Sequence, residues 1–176
     1  MKKIRRALVV AAIGLSFSAL GWGQSPSQIV LQISMLSSGA KTCSTAAGSN
    51  TVSVISWSFS EDHPAVISAQ TASKAKFNDF LLTKAFDECS AALFQNSATG
   101  VRMKATLTQR DKLGHVLMTI VLNNAVLTQY ALTDGGSSGS PVETIALAYE
   151  IITISNPNNN SSGCWNILTQ TAQCPL

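Results

Sequence analysis

Reactive side chains are scarce in this chain. Of its 176 residues only 12% are charged, and two are histidine, His63 and His115. A general base has to lie within hydrogen-bond reach of its nucleophile. His63 precedes Pro64 and His115 follows a turn glycine, and neither has such a partner nearby in sequence. The carboxylates offer no pair either. Glu61 and Asp62 are adjacent, so in a strand they point to opposite faces. Asp87 and Glu88 open a segment of helical spacing, where capping and the helix dipole account for them. There is no CxxC pair, and both histidines stand apart from every cysteine, which excludes the usual zinc patterns. No phosphate-binding loop or dinucleotide fingerprint occurs. Gly135-Gly136-Ser137-Ser138-Gly139 has the letters of a nucleophile elbow. That device needs a strand-to-helix turn, and here the motif sits in a Gly/Ser loop between two strand-like runs. The expectation is a non-enzyme with no cofactor and no metal.

Long apolar runs are also few. One occupies residues 7–20, preceded by Lys2, Lys3, Arg5 and Arg6 and followed by small residues at Ala19, Gly21 and Gly23. It is too short to span a bilayer, and the order basic, apolar, small is that of a secretory signal peptide. Residues 1–23 are therefore read as a signal, cleaved after Gly21 or Gly23. Its removal takes four of the 12 basic residues and none of the nine acidic ones, so the net charge falls from +3 to −1. The basic balance belongs to the export segment. Without a basic stripe interleaved with aromatics, the mature chain is not read as a nucleic-acid binder. No second long apolar run follows, so no membrane partner is expected after cleavage. Lys74, Lys76 and Lys84 read as the solvated face of a strand.

Four cysteines, Cys43, Cys89, Cys164 and Cys174, suit an oxidising compartment, so the mature product is expected to be secreted or periplasmic. Four thiols allow three pairings. The favoured one joins Cys164 to Cys174, across a short and otherwise poorly anchored tail, leaving Cys43 with Cys89.

Period-two alternation dominates the rest. Residues 29–35 read as a half-buried strand and residues 37–50 as a polar loop. Residues 51–60 read as a second strand with Ile55, Trp57 and Phe59 on one face. Pro64 interrupts, residues 65–70 suit a short edge segment, and residues 74–83 read as a third strand. One helix is predicted from an Asp87 N-cap, with Cys89, Ala92 and Leu93 on one face and Gly100 past its end. Met103, Ala105 and Leu107 then alternate with polar residues, and residues 111–114 form a turn. Residues 116–122 and 125–132 flank Asn123-Asn124, a two-residue hairpin signal. Residues 143–154, apolar on both faces, predict one long central strand. Residues 156–163 read as an Asn/Ser linker to a Cys-bearing tail, so the domains are 1–23, 24–155 and 156–176. Trp57, Phe59, Phe77, Phe80 and Tyr149 are read as core or subunit contacts, and Trp165 as the best candidate for an exposed aromatic.

The order of several short features resembles one family. Ser56-Trp57-Ser58-Phe59 closes a strand ahead of the helix region. An apolar strand leads into Lys84 and Asp87, then a short helix with Leu93-Phe94 and a closing Gly100. Glu143-Thr144 opens the last strand. This run, from about residue 51 to 154, is similar to the Hcp family, the haemolysin-coregulated proteins of type VI secretion systems. The resemblance implies a mainly β fold, a compact β-barrel with one short flanking helix. It also implies assembly with itself into a hexameric ring that stacks as a tube and carries small effector proteins in its lumen. Such a protein is a structural and carrier component. The chain departs from the family in its signal peptide and in the tail after Ile154. The alternative reading from a different class is a monomeric secreted or periplasmic binding module on the same barrel.

Overall fold

A computed structural model describes residues 27–62, 74–135, 139–172 and 174. The expected signal peptide, the edge segment at 65–70, His63 and Ser137 lie outside them.

Strand β1 (Gln28–Met35) buries Leu31 and Ile33 and exposes Gln32 and Ser34, the alternation of a sheet with one wet face. It pairs antiparallel with β9 (Arg102–Arg110) along its whole length. In β9, Met103, Ala105 and Leu107 are at most 1% exposed while Arg102 and Lys104 face solvent. This strand is as the alternation predicts. Between β1 and β9 come two small strands, β2 (Ser44–Thr45) and β3 (Gly48–Ser49), then β4 (Thr51–Ser53), β5 (Ser56–Ser58), β6 (Glu61–Asp62), β7 (Lys76–Phe77), β8 (Phe80–Ala85) and helix α1 (Ser90–Thr99). After β9 follow β10 (Val116–Thr133), β11 (Val142–Ala148), β12 (Ile151–Asn156) and β13 (Ser161–Asn166).

The main sheet runs β4-β1-β9-β10-β11-β8-β5, with β12 and β13 branching from β10. Its two end strands are consecutive in the chain. Val54 donates its N–H to Ile29 on one rim, and Ile55 donates to Thr83 on the other. The sheet thus curls around one core, and its rims are bridged by the polypeptide rather than by a ladder between β4 and β5. The fold is mainly β with one helix, and the expected barrel is not closed, since no strand ladder joins β4 to β5 across that seam. The crossing breaks the strand expected over residues 51–60. It leaves Ile55 58% exposed, while Trp57 and Phe59 still pack on the core. The strand expected over 74–83 is likewise split, because β7 pairs with β6 instead of continuing β8.

Asn123-Asn124 does not turn a hairpin. A type I′ turn needs two successive residues at positive φ, and of the pair only Asn124, at φ 52°, has it. One left-handed residue makes a bulge, seen as a register shift against β9 between Leu122 and Ala125. β10 therefore continues as one bent strand. The long strand expected over 143–154 breaks opposite that bulge, at Tyr149 and Glu150. β11 follows the second half of β10 and β12 the first. Glu150 donates its N–H to the Asn123 carbonyl and accepts from Asn124 Nδ2 at its carboxylate. Both strands turn the corner together.

The segment read as a linker is the turn of a hairpin, since β13 pairs with β12 from Asn156–Ser161 to Ile151–Asn166. Helix α1 begins at Ser90 with Cys89 at the N-cap, two residues past the expected Asp87 cap. Gly100 ends it at φ 62°, the left-handed conformation a closing glycine supplies. Cys89, Leu93 and Asn96 face inward. The loop before β2 is strapped to that face twice. Asn96 exchanges two 2.8 Å hydrogen bonds with the backbone of Lys41, and Cys43 is bonded to Cys89, 46 residues away. Cys164 is bonded to Cys174.

A crosslink over 46 residues restricts the unfolded chain, by about 4 kcal/mol in the chain-entropy account. The Cys43→Ala/Cys89→Ala double variant should lose roughly that much in urea denaturation of oxidised protein, whereas a loss below about 1 kcal/mol would mean the strap adds little.

Candidate functional site

Lys84 stands on the inward face of β8, in line with Phe80 and Leu82, and its side chain is 0% exposed. The reading of Lys84 as solvated is thus overturned, while Lys74 and Lys76 are exposed. The register pairs Lys84 with Glu143 of β11, itself 0% exposed. Nζ donates to Glu143 Oε2 at 2.7 Å, to the Ala85 carbonyl at 2.7 Å and to Ser90 Oγ at 3.3 Å. Asp87 Oδ1 lies 2.9 Å from the same ammonium. Removing two such charges from water costs several kcal/mol each, and only a fully partnered arrangement offsets it. Glu143 is completed by Tyr130 of β10, whose hydroxyl donates to Oε1 at 2.6 Å.

Asp87 has a second function that replaces the expected cap. Its Oδ1 accepts the N–H of Cys89, and its own N–H donates to Ser90 Oγ. The carboxylate thus fixes the turn entering α1 while it faces Lys84. One cluster joins β8, β10, β11 and the start of the helix. Phe94 then packs edge-on to Tyr130, with ring centroids 5.6 Å apart. The periodicity of the chain does not reveal this cluster. The only signal was that Lys84, Asp87 and Glu143 all belong to the features carrying the family resemblance.

Of the residues weighed for catalysis, His63 and Ser137 lie outside the described ones. His115 is 69% exposed at the turn after β9, with Nδ1 3.1 Å from Asp111 Oδ2. For Asp111 the slight burial pushes upward, but hydrogen bonds from the His115 ring and from the N–H groups of His115 and Leu113 outweigh it and hold the carboxyl below its usual range. That is a turn-closing carboxylate. Among the described residues no three His, Cys, Asp or Glu are placed to hold a metal, and no helix is long and apolar enough to cross a membrane. Trp57 stacks on Phe80 at 5.6 Å, and Tyr149 is 8% exposed. Trp165, read as the exposed aromatic, is half-buried against Phe77 instead.

Exposed apolar side chains gather at the two ends of β10. Phe86, Phe94 and Leu132, each more than half exposed, lie around the α1 end, where β8, β10 and β11 meet. Leu113 and Leu117 lie at the opposite end, at the turn before β10 and in its first residues.

Both tyrosines of the chain are held protonated. Burial, then the charge of Asp79, pushes Tyr149 up to about 12. Burial, then the hydrogen bond to Glu143 and the charges of Glu143 and Asp87, pushes Tyr130 higher still. A raised folded value is stabilising below the unfolded value of 10.0 and is lost as pH climbs through the folded one. Ultraviolet titration of the native protein should show little phenolate at pH 10.0, with stability falling from there upward; an ordinary two-tyrosine titration centred at 10.0 would contradict these environments.

Comparison with known proteins agrees with this architecture. The family model described as "Type VI secretion system effector, Hcp" matches residues 31–155. Hcp1 from Salmonella typhimurium superposes with a TM-score of 0.65 at 16% identity, over 82% of this chain and 97% of that one. Hcp1 from Escherichia coli EAEC 042, a doubly substituted variant, gives 0.65 at 17% identity over 81% and 99%. The secreted protein Hcp3 from Pseudomonas aeruginosa gives 0.63 at 18% identity over 80% and 97%. No curated protein matches the sequence. The matched span starts in β1 and ends in β12, enclosing the whole Lys84 cluster and leaving out β13 with its disulfide. The chain belongs to the Hcp family of type VI secretion proteins, as a divergent member.

Proposed function

We propose that this protein is a non-catalytic structural and carrier subunit that associates with copies of itself into a hexameric ring. The family match over residues 31–155 carries this reading. Two physical features support it. The apolar side chains at opposite ends of β10, Phe86, Phe94 and Leu132 against Leu113 and Leu117, form two unlike faces. Unlike faces that meet give head-to-tail contacts, and such contacts close into rings when the rotation allows. The buried charges, for their part, are spent on internal structure, where they fix the strands and the helix that present those faces.

In this reading residues 1–23 are an export signal, residues 24–155 the assembling domain, and residues 156–176 an appendage held by Cys164–Cys174. Export to an oxidising space lets both disulfides form. The lumen of a ring is then a place for small effector proteins.

Light scattering on the oxidised protein lacking residues 1–23 should give a mass of roughly six subunits. Phe94→Asp and Leu132→Lys, both at exposed positions, should shift it toward monomer. A strict monomer at high concentration would remove the ring and leave a monomeric binding module.

A further inference from the structure

Strand β9 lines up cations on its wet face. Arg102, Lys104 and Arg110 share their side of the strand with Thr106 and Thr108, while Met103, Ala105 and Leu107 fill the core from the other side. Arg102 and Lys104 are exposed. At the rise of an extended chain, the stripe runs about 26 Å from Arg102 to Arg110. Its cross-strand neighbours are uncharged. Ser34 and Gln32 of β1 stand opposite Lys104 and Thr106, and Val121 and Thr119 of β10 stand opposite Thr106 and Thr108.

No acid balances this stripe from within its part of the sheet. The strands β4, β1, β9, β10, β12 and β13, joined side by side, contain no Asp or Glu. Among the described residues the ion pairs join Lys84 to Asp87 and Glu143, and His115 to Asp111, and none includes a cation of the stripe. Glu150 shares a hollow with Arg102, yet its carboxylate accepts from Asn124 instead. Arg110 donates to the Gly114 carbonyl at 3.0 Å, which orients the guanidinium without cancelling its charge. The face is thus positive on a chain that sums to −1 once residues 1–23 are removed.

We propose that the outer face of β1 and β9 docks an acidic stretch of another protein. Charge sign and spacing select this occupant. One small anion cannot reach cations about 26 Å apart. A membrane surface is held by clusters of about four to eight cations or by an inserted apolar side chain, whereas this face has three cations set among Ser, Thr and Gln. Nucleic acid selects a basic domain with aromatics for stacking, and neither β1 nor β9 carries an aromatic residue. An extended polypeptide repeats its alternate side chains at about 6.6 Å, the spacing of Arg102 and Lys104 along their own strand. Its amides can also bond the Thr and Gln side chains between the charges. That the partner is a protein rests on the carrier reading. The docking itself needs one chain and no ring.

The test is fluorescence anisotropy of a labelled, capped peptide of glutamate alternating with serine, titrated with the oxidised protein lacking residues 1–23. Light scattering is recorded on the same samples. Saturable binding is expected at low salt, weakening about tenfold as the salt is raised to about 0.3 M. Arg102→Gln with Lys104→Gln should weaken it about tenfold, and Arg102→Glu with Lys104→Glu should abolish it. Lys74→Gln with Lys76→Gln, exposed cations away from this face, should change it by less than about twofold. Loss of binding at an unchanged scattering mass supports the docking face whether that mass is a ring or a single chain, so the ring is judged separately. No saturable binding, equal binding of a peptide with glutamine in place of glutamate, or equal losses in the Lys74/Lys76 variant overturns the proposal. Tighter binding of alginate or single-stranded DNA, lost with Arg102→Gln and Lys104→Gln, would replace the protein partner by that polyanion.

Discussion

A lysine and a glutamate with no solvent exposure hold this molecule in register. Lys84 and Glu143 face each other across β8 and β11 inside the core, 2.7 Å apart. In water such a pair is worth little; in the interior, losing either partner strands a charge at a cost of about 3–5 kcal/mol. The pair is therefore tolerable only in one arrangement. A slip of β8 against β11 by one residue would put Lys84 and Glu143 on opposite faces of the sheet. Tyr130 of β10, and Asp87 and Ser90 at the entrance to α1, complete the arrangement.

The position of α1 follows from this. Asp87 both faces the ammonium and fixes the turn into the helix, so the helix cannot shift without exposing or orphaning Lys84. From the other side the loop before β2 reaches the helix through Asn96 and the Cys43–Cys89 bond. A rigidly placed helix then presents Phe94 next to Phe86 and Leu132 at one end of the sheet. A surface that is to meet copies of itself in a closed ring has to be presented at a fixed angle. The internal ion pair and the external apolar face are thus connected through α1, and the sequence features shared with the family lie along that connection.

Much of this was legible in advance, where local rules decide. Met103, Ala105 and Leu107 are buried at every second position of β9, and Gly100 closes the helix in the left-handed conformation. What was not legible depends on distant residues. A single lysine between apolar neighbours reads as solvated because its partner is 59 residues away. Asn123-Asn124 carries the local chemistry of a turn, yet β10 has neighbours on both sides there, and only Asn124 takes positive φ. The break at Tyr149 and Glu150 is set by that bulge and not by any breaker in its own sequence. The Asn/Ser stretch has the composition of a linker, and pairing of Ser161–Asn166 with β12 makes it a hairpin turn.

The central claim is most directly tested by a double-mutant cycle at Lys84 and Glu143, using Lys84→Met, Glu143→Leu and the combined variant in urea denaturation. Each single change should cost about 3–5 kcal/mol, and the combined variant should cost far less than the two together, a coupling of at least ~2 kcal/mol. Costs that simply add, within about 0.5 kcal/mol, would show that the two charges do not hold each other and would contradict the account.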